Sequence, residues 1–150
     1  MKYFAYGSNM DAQRMRERGI EFSERVHAIL SGYGLKFNKM ADRNHKEGYA
    51  NIVPDKNNSV EGVLYEIPDL DLKKLDKHEY YPIHYDRIKI NVRTGGKKEV
   101  EAIIYVAQPD KVKQGLKPSN EYLAHLLAGK DILSESYYLR LESQETLATK

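Results

Sequence analysis

Cysteine is absent from all 150 residues, so disulfides, thiolate metal sites and a cysteine nucleophile are excluded together. Tryptophan is absent too, and beside 3 Phe the aromatic bulk falls to 12 Tyr, whose hydroxyls need partners wherever they are buried. No apolar run approaches the ~20 residues that cross a bilayer. No apolar leader precedes the first strand-like residues, and a cytoplasmic location is the default expectation. Neither sign of charge dominates: 24 Lys and Arg stand against 22 Asp and Glu. The two signs are interspersed, which argues against a dedicated nucleic-acid surface.

Three catalytic patterns are missing as well. His27, His45, His78, His84 and His125 are scattered, with no pair at i, i+4 and no His-Glu-x-x-His, so no metal site is expected. Ser8 lacks the Gly-x-Ser-x-Gly of a nucleophile elbow, because Tyr6 and Met10 fill the glycine positions. Gly95-Gly96-Lys97-Lys98 lacks P-loop spacing and reads as a hairpin turn.

What is present is a single-domain length of chain, 1–150, with strand and helix periodicities in alternation. Lys2 to Tyr6 reads as a strand with a central place in a sheet, and Ala12 to Arg18 as a short helix ended by Gly19. Val26, Ala28 and Leu30, then Tyr33, Leu35 and Phe37, alternate on two strand segments with a bend or bulge at Ser31-Gly32. A short strand from Ala50 is stopped by Pro54, Asp55 to Ser59 turns, and Val60 to Ile67 is the next strand. Pro68-Asp69 opens a helix through about Glu79. Tyr85 to Arg93 and Val100 to Ala107 form a hairpin, and two helices follow Pro118-Ser119 and Ser134. The order predicts an α+β fold: a curved mixed, largely antiparallel sheet or small β-barrel flanked by helices.

Two places carry chemistry. At Gly7-Ser8-Asn9-Met10 an aromatic strand breaks into a tight turn before Asp11, a candidate N-cap. Unpaired N–H groups at such a turn bind anions or developing negative charge. In Leu72, Leu75 and Glu79 the spacing i, i+3, i+7 places a carboxylate on the apolar face of its helix. Burial and the helix C-terminus would both raise its pKa, as a group that takes and returns a proton requires. The bland alternatives are a Glu79 that frays into solvent or pairs with Arg87, and a turn that is only structural.

Together these segments resemble the γ-glutamylcyclotransferases and their wider superfamily. Tyr3 to Met10 is similar to the family's Tyr-Gly-Ser-Asn signature, Glu61-Gly62-Val63-Leu64-Tyr65 to its Gly-Val strand, and Leu75 to Glu79 to the Leu-Asp-x-x-Glu ending in its catalytic glutamate. Tyr85, Tyr105 and Pro118-Ser119-x-x-Tyr122 also fall where the family has them. Tyr80 departs from it, standing where the family usually has Gly. The resemblance implies cyclisation of a γ-glutamyl amino acid or amine to 5-oxoproline without metal or cofactor. Glu79 would be the general base and acid. Gly7, Ser8, Asn9 and Met10 would supply the backbone anion site, and Tyr6, Tyr85, Tyr105 and Tyr122 the pocket hydroxyls. The implied partner is a small-molecule γ-glutamyl substrate, with neither nucleic acid nor membrane and with a homodimer compatible. A γ-glutamylamine-type cyclotransferase and a non-catalytic γ-glutamyl or anion-binding module are the alternatives.

Overall fold

The computed structural model describes residues 1–148. Five strands close into a barrel in the order β1 (Lys2–Ala5), β3 (Gly48–Glu66), β2 (Glu24–Met40), β4 (Tyr85–Thr94) and β5 (Lys98–Ala107). Neighbours are antiparallel except at the seam, where β5 runs parallel to β1 with Tyr3 opposite Ile103. Closure gives β1 a partner on each side, in keeping with its expected central place. Four helices flank the barrel: α1 (Ala12–Glu17), α2 (Leu72–His78), α3 (Asn120–Leu127) and α4 (Glu135–Glu142).

The strand boundaries differ from the sequence expectation in one respect. Pro54 does not end a strand: β3 runs on through it, while β2 passes Ser31-Gly32 in a bulge, one of the two expectations there. Ser31 pairs with Ser59 and Tyr33 with Pro54, so 55–58 stand opposite Gly32 alone. Gly32 takes φ +84° there, a left-handed conformation that glycine adopts without a side-chain clash. The bulge absorbs the turn-forming residues 55–58 without breaking the ladder, which resumes at Ser59. The β4–β5 hairpin is as expected, Thr94 pairing with Lys98 around Gly95-Gly96-Lys97.

Phe4 of β1, Val60 and Val63 of β3 and Ile104 of β5 are buried in one core with Met10, Met15, Leu75 and Leu126 from the turn and helices. Leu75, fully buried, anchors α2 against the barrel; burying such a side chain is worth roughly 2 kcal/mol. Where β1 crosses β3, Gly62 permits close approach. A Cβ there would stand 2.4 Å from the Ala5 carbonyl oxygen and 2.8 Å from the Phe4 ring. Its neighbour Glu61 has a structural task, accepting from Ser134 N (2.9 Å) and Ser134 Oγ (2.6 Å) at the start of α4.

Candidate active site

The turn after β1 is a single 3₁₀ turn over Ser8–Met10. Met10 N donates to Gly7 O (3.0 Å) and Asp11 N to Ser8 O (3.2 Å). The Ser8 and Asn9 N–H groups precede these and have no partner within the turn. Met10 is the exception among the expected site residues: its N–H is used, and its side chain is fully buried in the core. Asp11 caps α1 as expected, accepting from Gln13 N and Arg14 N. Tyr65 fixes the turn from β3, its hydroxyl donating to Asn9 O at 2.7 Å. Gly7 has little room, since a Cβ would lie 3.1 Å from Ala50 Cβ and 3.3 Å from the Tyr122 hydroxyl.

Asn9 links the turn to the acid. Arg18 Nη1 donates to Asn9 Oδ1 at 2.9 Å. A guanidinium can only donate, so the amide nitrogen must face the other way. It donates to Tyr3 OH at 3.0 Å and reaches Glu79 Oε1 at 3.5 Å. Glu79 itself is the residue that ends α2 (φ −88°, ψ −1°), with its N–H on Leu75 O. Burial raises its carboxyl above the usual glutamate value, and Arg18, Arg14 and Lys39 oppose the rise. The ion pair with Arg87 does not form; Arg87 pairs with Asp76 instead.

Tyr80 occupies the left-handed region, at φ 51°. The turn that a glycine would serve is therefore kept with a tyrosine in it. The ring is 61% exposed and packs on His84, with centroids 5.2 Å apart. A non-glycine residue held there costs about 1–2 kcal/mol, and the added chain freedom of glycine cancels only part of that. Tyr80→Gly is expected to raise unfolding stability by about 1 kcal/mol in urea titration; a loss would mean that the tilted ring contact with His84 outweighs the backbone strain.

The tyrosines divide by what their hydroxyls do. Tyr6 OH donates to Tyr105 O (2.6 Å) and Tyr85 OH to Ala50 O (2.9 Å), leaving their lone pairs to the cleft. Tyr105 OH donates to Asp76 Oδ1 at 2.7 Å. Tyr122, on the first turn of α3 capped by Ser119, accepts from Ala50 N at 3.0 Å and keeps its own proton to donate. All four have hydroxyls raised by burial.

These groups meet in a small chamber of about 40 Å³, lined by Gly7, Ser8, Asn9 and Glu79 with Tyr6, Tyr85, Tyr105 and Tyr122. Only Met10 of the expected set lies outside it. Ser8, Glu79, Tyr85 and Tyr122 are shared with a larger chamber of about 840 Å³. That larger chamber brings in residues which the sequence reading missed: Arg14, Arg18, Lys39, Tyr49, His84 and His125. Lys39 could have been found. It continues the Tyr33-Leu35-Phe37 stripe at period two, a lysine on an apolar face, and is 3% exposed. Arg14 and Arg18 sit i, i+4 on one side of α1 behind the turn, a weaker signal. Among the described residues no cluster of His, Asp and Glu suits a metal ion.

A family model described as gamma-glutamyl cyclotransferase, AIG2-like, matches residues 3–124. A putative gamma-glutamylcyclotransferase of Bacillus subtilis, YkqA, is 28% identical over 149 residues, 97% of this chain but 50% of that protein. The chain spans about half the length of the curated relatives it matches. A solved structure of a gamma-glutamyl cyclotransferase superposes with TM-score 0.87 at 25% identity, covering 99% of this chain and 90% of that one. An uncharacterized human protein superposes equally well, with TM-score 0.87 at 26% identity and the same coverage of each chain.

Proposed function

Since the chain belongs to the AIG2-like gamma-glutamyl cyclotransferase family, we propose that its cleft converts a γ-glutamyl compound into 5-oxoproline and a free amine or amino acid. The observation that carries this reading is the small chamber itself. A half-buried carboxyl raised by desolvation and the residues that lead a tight turn line one space too small for more than one end of a substrate.

In the proposed reaction Glu79 accepts a proton from the substrate α-ammonium. The freed amine attacks the γ-carbonyl carbon, forming the ring C–N bond. The original amide C–N bond breaks as Glu79 returns its proton to the leaving nitrogen, and the second proton, shed by the ring nitrogen, is carried away on the released amine as its ammonium. The Ser8 and Asn9 N–H groups and the Tyr122 hydroxyl suit the substrate carboxylate or the developing oxyanion; each donor at such a site is worth about 3 kcal/mol in rate. Nucleophile and electrophile belong to one molecule, so holding the folded conformer supplies much of the acceleration. No residue acts as nucleophile, which fits a Ser8 outside the Gly-x-Ser-x-Gly setting of a nucleophile elbow. A module that merely binds an anion gains nothing from a buried carboxylate, and Glu79 therefore favours catalysis.

The test is release of 5-oxoproline from a panel of γ-glutamyl-α-amino acids, γ-glutamyl-ε-lysine and γ-glutamylamines. The panel is run against pH with the best substrate. Because burial raises the Glu79 carboxyl, the acid limb of kcat/KM is expected above 4.5, the ordinary glutamate value. A limb at or below that value would remove Glu79 as the base, and stoichiometric binding without 5-oxoproline would favour the binding module.

A further inference from the structure

The larger chamber carries an assignment of its own, which rests on the cyclisation reading above. Its inner wall is cationic. Arg14, Arg18 and Lys39 line it and are absent from the lining of the small chamber. Among the described residues none of the three forms an ion pair with a carboxylate. The chamber also has acids: Asp42 and Glu121 are exposed, Glu47 is half-buried, and Asp42 faces His84 at 3.6 Å.

Arg14 is held by a relay. Asp11 Oδ2 lies 2.9 Å from His125 Nδ1, and His125 Nε2 lies 2.8 Å from Arg14 Nη1. Arginine can only donate, so Nε2 must accept and the imidazole proton sits on Nδ1, donated to Asp11. One end of the guanidinium is thereby fixed without being neutralised, and Arg14 Nε is buried with no hydrogen-bond partner among the described residues. Lys39 is fixed in the same manner: its ammonium donates to Met40 O at 2.8 Å and to His84 Nδ1 at 2.6 Å. Cations oriented by neutral partners retain their charge for a ligand.

We propose that Arg14, oriented by Asp11 and His125, and Lys39 form a subsite for a carboxylate on the leaving half of the substrate. The preferred class is then a γ-glutamyl-α-amino acid over a γ-glutamylamine. The γ-glutamyl end is taken by the turn and Glu79 in the small chamber, and Arg14 reads what projects beyond it.

The experiment compares γ-glutamylalanine with γ-glutamylethylamine, which differs from it by that carboxylate alone. The expected preference in kcat/KM is about 100-fold for the alanine compound. Arg14→Met is expected to cut that ratio at least about tenfold, chiefly through KM, and Arg14→Lys to recover part of it. Lys39→Met serves as a second variant and should lower the ratio by itself. The ratio is the readout because any change at Glu79 caused by losing a neighbouring cation affects both substrates alike. A wild-type ratio near one, or equal losses on both substrates in both Met variants, overturns the subsite. Absence of 5-oxoproline from every compound would instead count against the reaction. Calorimetric titration of the two compounds into the Glu79→Gln protein then decides the subsite: a carboxylate preference that Arg14→Met removes supports it, and equal binding overturns it.

Discussion

Glu79→Gln is expected to lower 5-oxoproline release by about 10³-fold or more while the protein still folds, since it removes a proton carrier and leaves the shape of the side chain. The amide can still meet Asn9, whose orientation is set by Arg18 rather than by Glu79. Stability should move the other way. The folded-state carboxyl is raised by burial, so the folded protein binds that proton more tightly than the unfolded chain does. The contribution is at its most favourable below the unfolded value near 4.5 and is lost as pH rises through the folded-state value. The melting temperature of the variant should therefore gain on that of the parent between acid and mildly alkaline pH. Taking the difference between the two proteins cancels carboxylates common to both, such as Asp11 and Glu61, which are held low by their partners. A variant retaining more than about a tenth of parental kcat would end the role given to Glu79.

The second large effect is at Gly62. In Gly62→Ala the new methyl would stand 2.4 Å from Ala5 O and 2.8 Å from the Phe4 ring. The first is backbone in a paired strand and the second is fully buried, so neither can move aside freely. Overpacking of this kind costs about 3 kcal/mol, or roughly 10 °C in melting temperature. Activity should fall further than the folded fraction does, because β1 must shift and the turn from Gly7 to Asn9 continues directly from β1. A melting temperature within about 2 °C of the parent would show that β1 accommodates the methyl.

Much of this arrangement was legible in the residues because local signals agreed with one another. The i, i+3, i+7 spacing turned Glu79 inward, Asp11 capped its helix, and Gly95-Gly96 made its hairpin. The β3 side of the bulge was less legible. Pro54 and the polar residues after it carry turn chemistry, and only the partner strand shows that they bow out of a ladder which resumes at Ser59. The cations, and the histidine that orients one of them, were missed for a related reason. Arg14, Lys39 and His125 come from α1, β2 and α3, and no single segment displays their convergence. Met10 was over-read: proximity in sequence to the turn suggested a free N–H, while the turn itself consumes it.

The parallel seam sets the order in which this protein can come together. Joining Tyr3 to Ile103 closes two thirds of the chain into a loop, whereas the β4–β5 hairpin forms from neighbours. Contacts so distant in sequence carry the larger closure entropy and form late. The turn at Gly7–Asn9 hangs from β1 and Tyr105 belongs to β5, so the small chamber exists only after that closure. A ligand that grips both sides binds the closed barrel and no earlier species, and by mass action it should delay thermal unfolding of the whole barrel rather than of a loop.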